Sequence, residues 1–182
     1  RWSADLMGLA VSADMSGVSI AGGLLQDASG GYMGMLLGRF GTYGLTLYGG
    51  YALLDGNPSF FSFGALNGPI GGPPAFFITG IGAGLGINRR LRVPDDISQF
   101  GDYPFIKALD IAAAVPDPMV ELRRLNDYFG PQAGQFWVAA GLSFTCFALV
   151  DGIAVIAVAF GSDGLDVNLL GLARMALPRP QA

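Results

Sequence analysis

The sequence predicts a mainly β protein: an antiparallel sheet or sheets, sandwich-like or open barrel-like, with a short two-helix insert. Long segments alternate with the two-residue period of a strand. Glycine-containing dipeptides that favour hairpins separate several of them. Helical patterning with capping residues occurs only near residues 102–130. We expect residues 1–182 to form a single β-rich domain or a fragment of a larger chain.

The composition is unusually apolar for a domain of this size. Hydrophobic residues make up 52% of the chain and charged residues only 13%, against roughly 25% charged in an ordinary globular domain. The mean hydropathy is +0.48. Because so few charges cannot cover a surface, we expect part of it to be buried against more chain, a partner or lipid.

Charge and residue types exclude several functions. The net charge is −4 and no basic stripe is present, which argues against nucleic acid. The chain has no His and only Cys146, so the commonest general base and an internal disulfide are absent. Asp95-Asp96 and Asp163-x-x-Asp166 lack calcium-loop spacing and suit turns or caps better. We therefore predict a protein that is not an enzyme and has no metal or cofactor.

The first 54 residues predict a meander of antiparallel strands. Gly41-Thr42 is a two-residue turn between alternating runs, which is a strong hairpin signal. A second turn is predicted at residues 27–31, and residues 55–58 close the meander. The alternating runs are 6–11, 18–20, 32–40 and 43–54.

A short strand at residues 60–66 and a glycine- and proline-rich loop at 67–74 come next. No charged residue lies between Asp55 and Arg89, so this segment could be interpreted as a membrane helix. We reject a membrane helix here because Pro69, Pro73 and Pro74 interrupt the segment.

The strand after this loop carries a column of glycines at alternate positions. Glycine packs nothing and costs backbone entropy, so such a column indicates that something bulky lies flat on it. The spacing is not G-x-G-x-x-G, which argues against a nucleotide. We predict a hydrophobic ligand surface here, formed by Phe76, Ile78, Gly80, Gly82, Gly84 and Gly86.

Three arginines end this strand: Arg89, Arg90 and Arg92. They could contact an anionic head group. The alternative, which we favour, is that they pair with Asp95, Asp96 or Asp102 and stop the strand at water.

The helical insert at about 102–130 contains two predicted helices. The first covers residues 105–114 and stops before Pro116. The second runs from Pro118, capped by Asp117, to Phe129, with Gly130 at its C′ position. Its apolar face has Met119, Leu122, Leu125 and Phe129, and its wet side has Glu121, Arg123 and Arg124.

The last third returns to strands at residues 136–150, 153–160 and 165–177, joined by turns at Asp151-Gly152 and residues 161–164. Residues 153–160 have no polar face. Such a strand belongs in a sheet that is covered on both sides.

Several segments are similar to one known family. They are residues 60–80, residues 86–94 with the run Asn88-Arg89-Arg90-Leu91-Arg92, residues 134–142 and residues 170–175. They resemble a domain family of unknown function found in very large bacterial and some fungal proteins. The resemblance implies a fragment of a long, glycine-rich, strand-rich chain, and it carries no activity or site residues. The absence of an initiator Met at Arg1 fits that expectation.

Three functional hypotheses follow. The first is a non-catalytic module that buries or carries a hydrophobic ligand, such as a lipid acyl chain, or a hydrophobic partner segment. The second is a purely structural building block of a large secreted or cell-surface assembly, covered by neighbouring modules or the rest of a larger chain. The third is a membrane-inserting β-structure. The sequence does not determine the cellular compartment, and it favours the cell envelope or a secreted assembly.

Overall fold

A computed structural model describes residues 8–26, 30–110, 117–162 and 164–175. It confirms the mainly β prediction: nine antiparallel strands form one sheet in sequence order. The strands are β1 Gly8–Met15, β2 Val18–Gln26, β3 Tyr32–Phe40, β4 Tyr43–Leu54, β5 Asn57–Gly71, β6 Phe77–Arg89, β7 Pro131–Cys146, β8 Val150–Gly161 and β9 Gly164–Met175. Among these strands β1 and β9 each pair on one side only, so the sheet is open.

The predicted turn at Asp151-Gly152 is wrong, because both residues belong to β8 and pair with Thr145 and Phe144 of β7. The connection between these strands is at residues 147–149, where φ is 51° at Phe147 and 54° at Ala148.

Two other predicted turns do connect strands. Gly41, with φ of 60°, and Thr42 join β3 to β4, and Gly56, with φ of 80°, lies between β4 and β5. Both glycines adopt the left-handed conformation that side chains disfavour. Predicted turn residues 27–29 and Asp163 lie outside the described residues.

The predicted loop at residues 67–74 is wrong in its first half, because β5 continues to Gly71. The pairing of β5 with β6 jumps from Asn67–Gly80 to Gly71–Ile78, so residues 68–70 bulge out of the ladder. Pro69 lies in this bulge, where its missing N–H costs no ladder hydrogen bond.

Two α-helices form the predicted insert between β6 and β7, preceded by a 3₁₀ helix at Ile97–Asp102. They are α1 Pro104–Leu109 and α2 Pro118–Phe129. The first ends before the predicted Ala114, and residues 111–116 are outside the described part. Asp117 caps α2 as predicted: its Oδ1 accepts hydrogen bonds from Met119 N at 2.8 Å and Val120 N at 3.4 Å. Gly130 has φ of −62°, so it is not the left-handed C′ glycine that was expected.

The N-cap gives a first prediction. Asp117→Ala is expected to destabilise the protein by about 1 kcal/mol, because two backbone N–H groups of α2 lose their acceptor. A calorimetric melt should show a midpoint lowered by roughly 2–4 °C. Asp127→Ala, an exposed acid in the last turn of the same helix, is the control and should not lower the midpoint. Equal destabilisation by both variants would contradict the capping role.

The helices pack on one face of the sheet, and the core lies between the two layers. We call this the covered face. Its sheet side chains include Met33, Tyr48, Phe61, Phe63, Trp137 and Val155, and its helical side chains include Phe105, Leu109, Leu122, Leu125 and Phe129, all of them buried.

Glu121 was predicted on the wet side of α2, and that prediction is wrong. The residue is only 1% exposed, and its Oε2 lies 2.9 Å from Lys107 Nζ. Lys107 comes from α1, so its position next to Glu121 depends on how the two helices pack. The Lys107 ammonium group supplies the counter-charge that the buried Glu121 carboxylate requires. Burial, aided by the Glu121 charge, also raises the pKa of Tyr48 far above its usual value.

Candidate functional site

The sheet face opposite the helices carries no charged side chain in the described strands. We call it the open face. Its composition follows from the register, since cross-strand partners share a face; Leu47, Gly64, Ala83, Ala140, Ile156 and Leu169, for example, form one continuous row. Large exposed residues on the central strands of this face are Leu47, Phe60, Leu66, Ile81, Leu85, Ile87, Val138, Ile156 and Phe160.

The open face is large for a monomer. Nine strands spaced about 4.8 Å apart, each with about nine residues rising roughly 3.3 Å, give a face of about 1,100 Å². The largest apolar patch on a typical soluble monomer covers roughly 300–600 Å². A face of this size and composition is therefore expected to have an occupant.

Aromatic side chains concentrate at the two ends of the open face, with aliphatic residues between them. One end is a cross-strand row containing Tyr32, Tyr51, Phe60, Phe136 and Phe160, in which Phe136 and Phe160 stack at 5.7 Å. The other end includes Phe40, Tyr43 and Phe144. Phe40 lies eight positions after Tyr32 along β3, which corresponds to about 27 Å. Aromatic rings flanking an aliphatic band are typical of surfaces that contact lipid.

Small residues open two shallow grooves in this face. Gly34, Gly49 and Ser62 are cross-strand neighbours, and a groove of about 470 Å³ runs over them between larger side chains such as Leu36 and Leu47. A second groove, of about 270 Å³, lies over Gly64 and Ala83. The open face therefore offers channels the width of a missing side chain.

The glycine column lies on the other side of the sheet, on the covered face. Gly80, Gly82, Gly84 and Gly86 pair with Asn67, Ala65, Phe63 and Phe61 of β5. A Cβ on Gly84 would lie 2.7 Å from Phe63 Cδ2 and 2.7 Å from Ser62 O, and a Cβ on Gly86 would meet the indole of Trp137. Something bulky does lie on the column, and it is the protein's own aromatic core.

That core is a cluster of rings from the sheet and both helices. Phe63 stacks on Phe105 of α1 at 4.2 Å, and Phe105 stacks on Phe129 of α2 at 4.9 Å. Trp137 lies 5.5 Å from both Phe105 and Phe129. The glycines allow these rings to approach the β6 backbone.

Phe76 and Ile78, the other two residues of the predicted ligand surface, lie apart from the four glycines. Ile78 pairs with Phe144, whereas Gly80 pairs with Ser143, because the register between β6 and β7 shifts at this point. Adjacent residues of β7 point to opposite faces, so Ile78 shares the open face with Phe144. Phe76 also stacks on Phe144, at 4.8 Å. The predicted ligand surface is thus divided between the two faces of the sheet.

The three predicted arginines lie beside the C-terminus of α2. A second register shift, with φ of 52° at Asn88, turns Arg89 to the covered face. There Arg89 is 1% exposed, its Nη1 donates to Phe129 O at 3.1 Å, and its guanidinium lies 5.3 Å from the Phe61 ring centroid. Arg90 Nη2 donates to Asn126 O at 3.4 Å. Cations at a helix C-terminus stabilise its carbonyl groups.

The favoured pairing of these arginines with Asp95, Asp96 or Asp102 is therefore replaced by contacts with the helix end. Asp102 lies 3.5 Å from Arg124 instead. Asp96 caps the 3₁₀ helix, and its hydrogen bonds with Ser98 hold the pKa of its carboxyl below the usual value. Arg92 is exposed, and its backbone N–H donates to Tyr128 O at 3.0 Å.

Within the described ranges, no three or more His, Cys, Asp or Glu residues come together as metal ligands. No helix in the same part of the chain has the length and apolarity to cross a membrane.

Sequence reasoning predicted a ligand surface on the glycine side, where the aromatic core lies, and missed the open face as a continuous surface. The available signal was the set of strands that are apolar on both faces, such as residues 153–160. Such strands indicate that both faces of the sheet are covered, and the helices cover only one of them.

Comparison with known proteins gives one family. Residues 2–182 match DUF6603, a family of unknown function. No curated protein and no solved structure matches the chain. The match covers nearly the whole sequence and confirms the resemblance to a family of unknown function. The chain belongs to the family DUF6603.

Proposed function

We propose that this protein is a non-catalytic module whose open face buries the acyl chains of lipids. The observation that carries the proposal is the charge-free apolar face with aromatic rows at both ends. The grooves over Gly34 and Gly49 and over Gly64 and Ala83 give flexible chains a place to lie. Burial of each methylene group contributes about 0.8 kcal/mol.

The aromatic rows favour an amphiphile as the occupant. Tyr32, Tyr43 and Tyr51 carry hydroxyl groups at the ends of the face, and the aliphatic residues lie between them. A lipid has the same order, with an apolar chain next to a polar group, and tyrosine suits such a boundary because it has an apolar body and a polar tip.

The sheet edges argue against the membrane-inserting alternative for this domain alone. In the described sheet β1 and β9 each pair on one side only, which leaves backbone N–H and C=O groups directed outward. Each unpaired backbone group in hydrocarbon costs several kcal/mol. An acyl chain lying on the open face leaves these edges in water.

The proposal predicts that a single charge on the open face weakens fatty-acid binding. Val138→Glu and Leu47→Glu place a carboxylate at central positions that are exposed in the free protein. We expect binding of a fluorescent fatty acid to weaken at least tenfold, since the chain would have to bury or avoid that charge. The thermal midpoint should stay near the parent value, because neither side chain is in the core.

Ile97→Glu is the matched control. Ile97 is 81% exposed, lies in the 3₁₀ helix, and loses the same kind of apolar side chain away from the open face. Its fatty-acid affinity should equal that of the parent. Absence of binding by the parent protein, or equal binding by all variants, would overturn the proposal. Self-association of the parent that Val138→Glu abolishes would instead favour the structural building block.

A further inference from the structure

A second concave site lies at one end of the sheet and has a different chemical character. It is a cavity of about 430 Å³, within the roughly 300–1,000 Å³ typical of small-molecule pockets. The register shifts of β5 and β6 lie at this end of the sheet. Residues that line the cavity include Phe77, Thr79, Ser143, Phe144, Asp151 and Arg174.

The charges around this cavity sum to one negative charge. Arg174 stands directly opposite Asp151 in the register of β8 and β9, yet its Nη2 lies 2.8 Å from Asp110 Oδ2. Arg174 is thus neutralised by Asp110, which also lines the cavity. The described residues contain no ion pair of Asp151. Its exposed carboxylate is an anionic group available to a ligand.

The remaining walls combine an aromatic ring, aliphatic side chains and hydroxyl groups. Phe77, Leu109, Ile153 and Leu172 supply apolar contact. Thr79 Oγ1 donates to Ser143 Oγ at 3.1 Å, which leaves the Ser143 hydroxyl hydrogen for another acceptor. An aromatic ring near a carboxylate suits an ammonium group, because the ring face and the carboxylate both attract a cation.

We infer that this cavity binds a small organic ammonium ion with an apolar body, and that Asp151 is its charged anchor. The cation lies near the Asp151 carboxylate and the ring of Phe77, which share a cross-strand row through Thr145. The apolar body contacts Ile153 and Leu172. An anionic ligand of the same shape is repelled by Asp151, and it gains little from Arg174 because Asp110 already holds that guanidinium. The site is separate from the fatty-acid surface proposed above and does not depend on it.

Three six-carbon probes that differ only in their head group test this inference: hexylammonium, hexanol and hexanoate at neutral pH. Chemical shifts of backbone amides in the ¹⁵N-labelled protein report both affinity and location. Hexylammonium should shift the amides of Gly68, Thr79 and Ile153 and bind at least tenfold more tightly than hexanoate. Asp151→Asn should weaken hexylammonium binding about tenfold or more, since the ammonium group would lose a charge-assisted hydrogen bond.

Asp166→Asn is the control, because it removes one carboxylate from β9 without altering the lining of the cavity. It should bind hexylammonium as the parent does. The inference is overturned if hexanoate binds as tightly, if Asp151→Asn changes nothing, or if Asp166→Asn weakens binding equally. It is also overturned if the shifts are confined to open-face amides. An unchanged amide spectrum of free Asp151→Asn away from residue 151 verifies that this variant folds as the parent does.

Discussion

Lys107→Met is expected to lower the free energy of unfolding by about 3–5 kcal/mol, the cost of leaving one partner of a buried ion pair uncompensated. The Glu121 carboxylate is 1% exposed, and its Oε2 lies 2.9 Å from Lys107 Nζ. Arg124 Nη1 is 4.0 Å from the same oxygen, too far for a hydrogen bond. Chemical denaturation monitored by Trp fluorescence measures the loss.

The double variant Lys107→Met with Glu121→Leu should recover most of that stability, because apolar pairs often replace buried ion pairs at little cost. Arg124→Met is the control for a partly exposed pair, and it should cost less than about 1 kcal/mol. If Lys107→Met and Arg124→Met destabilise equally, or if the double variant is no more stable than Lys107→Met alone, the buried ion pair is not a stabilising unit of the helical layer.

Gly84→Ala is expected to lower the free energy of unfolding by about 1–3 kcal/mol, the usual cost of overpacking a filled interior. The new Cβ would lie 2.7 Å from Ser62 O, a backbone atom that cannot rotate away, and 2.7 Å from Phe63 Cδ2. Phe63 in turn stacks on Phe105, so its ring has little freedom to move. Equilibrium denaturation of the purified variant gives the value.

Gly34→Ala makes the same chemical change on the open face. The nearest atoms to its Cβ would be 3.7 Å away, which is ordinary contact. This variant should be neutral or slightly stabilising, since alanine loses less backbone entropy than glycine in a strand. If Gly84→Ala were as stable as Gly34→Ala, the contact between the glycine column and the aromatic core would be looser than the structure indicates.

Much of the fold follows from local signals in the sequence. The alternating runs, the turn at Gly41-Thr42 and the Asp117 cap each depend on a few neighbouring residues. Sequence reasoning therefore located the strands and the two-helix insert. It also identified the glycine column as a place of close approach.

The wrong predictions depend on contacts between residues that are far apart in the sequence. A strand that is apolar on both sides does not reveal which side its own helices cover, so a ligand surface was predicted on the glycine side, which the aromatic core fills. The register shifts near Ile78 and Asn88 change which face the flanking residues occupy, and they depend on pairing with β7. Likewise, Glu121 looked solvent-exposed because its partner Lys107 comes from another helix.

Photo-crosslinking with a diazirine-labelled fatty acid, mapped by peptide mass spectrometry, tests most directly whether the open face carries acyl chains. Adducts are expected on central open-face residues such as Leu47, Leu85 and Val138, and Val138→Glu should reduce them at least tenfold. Adducts confined to the helices, or adducts that Val138→Glu leaves unchanged, would contradict the assignment of lipid to this face.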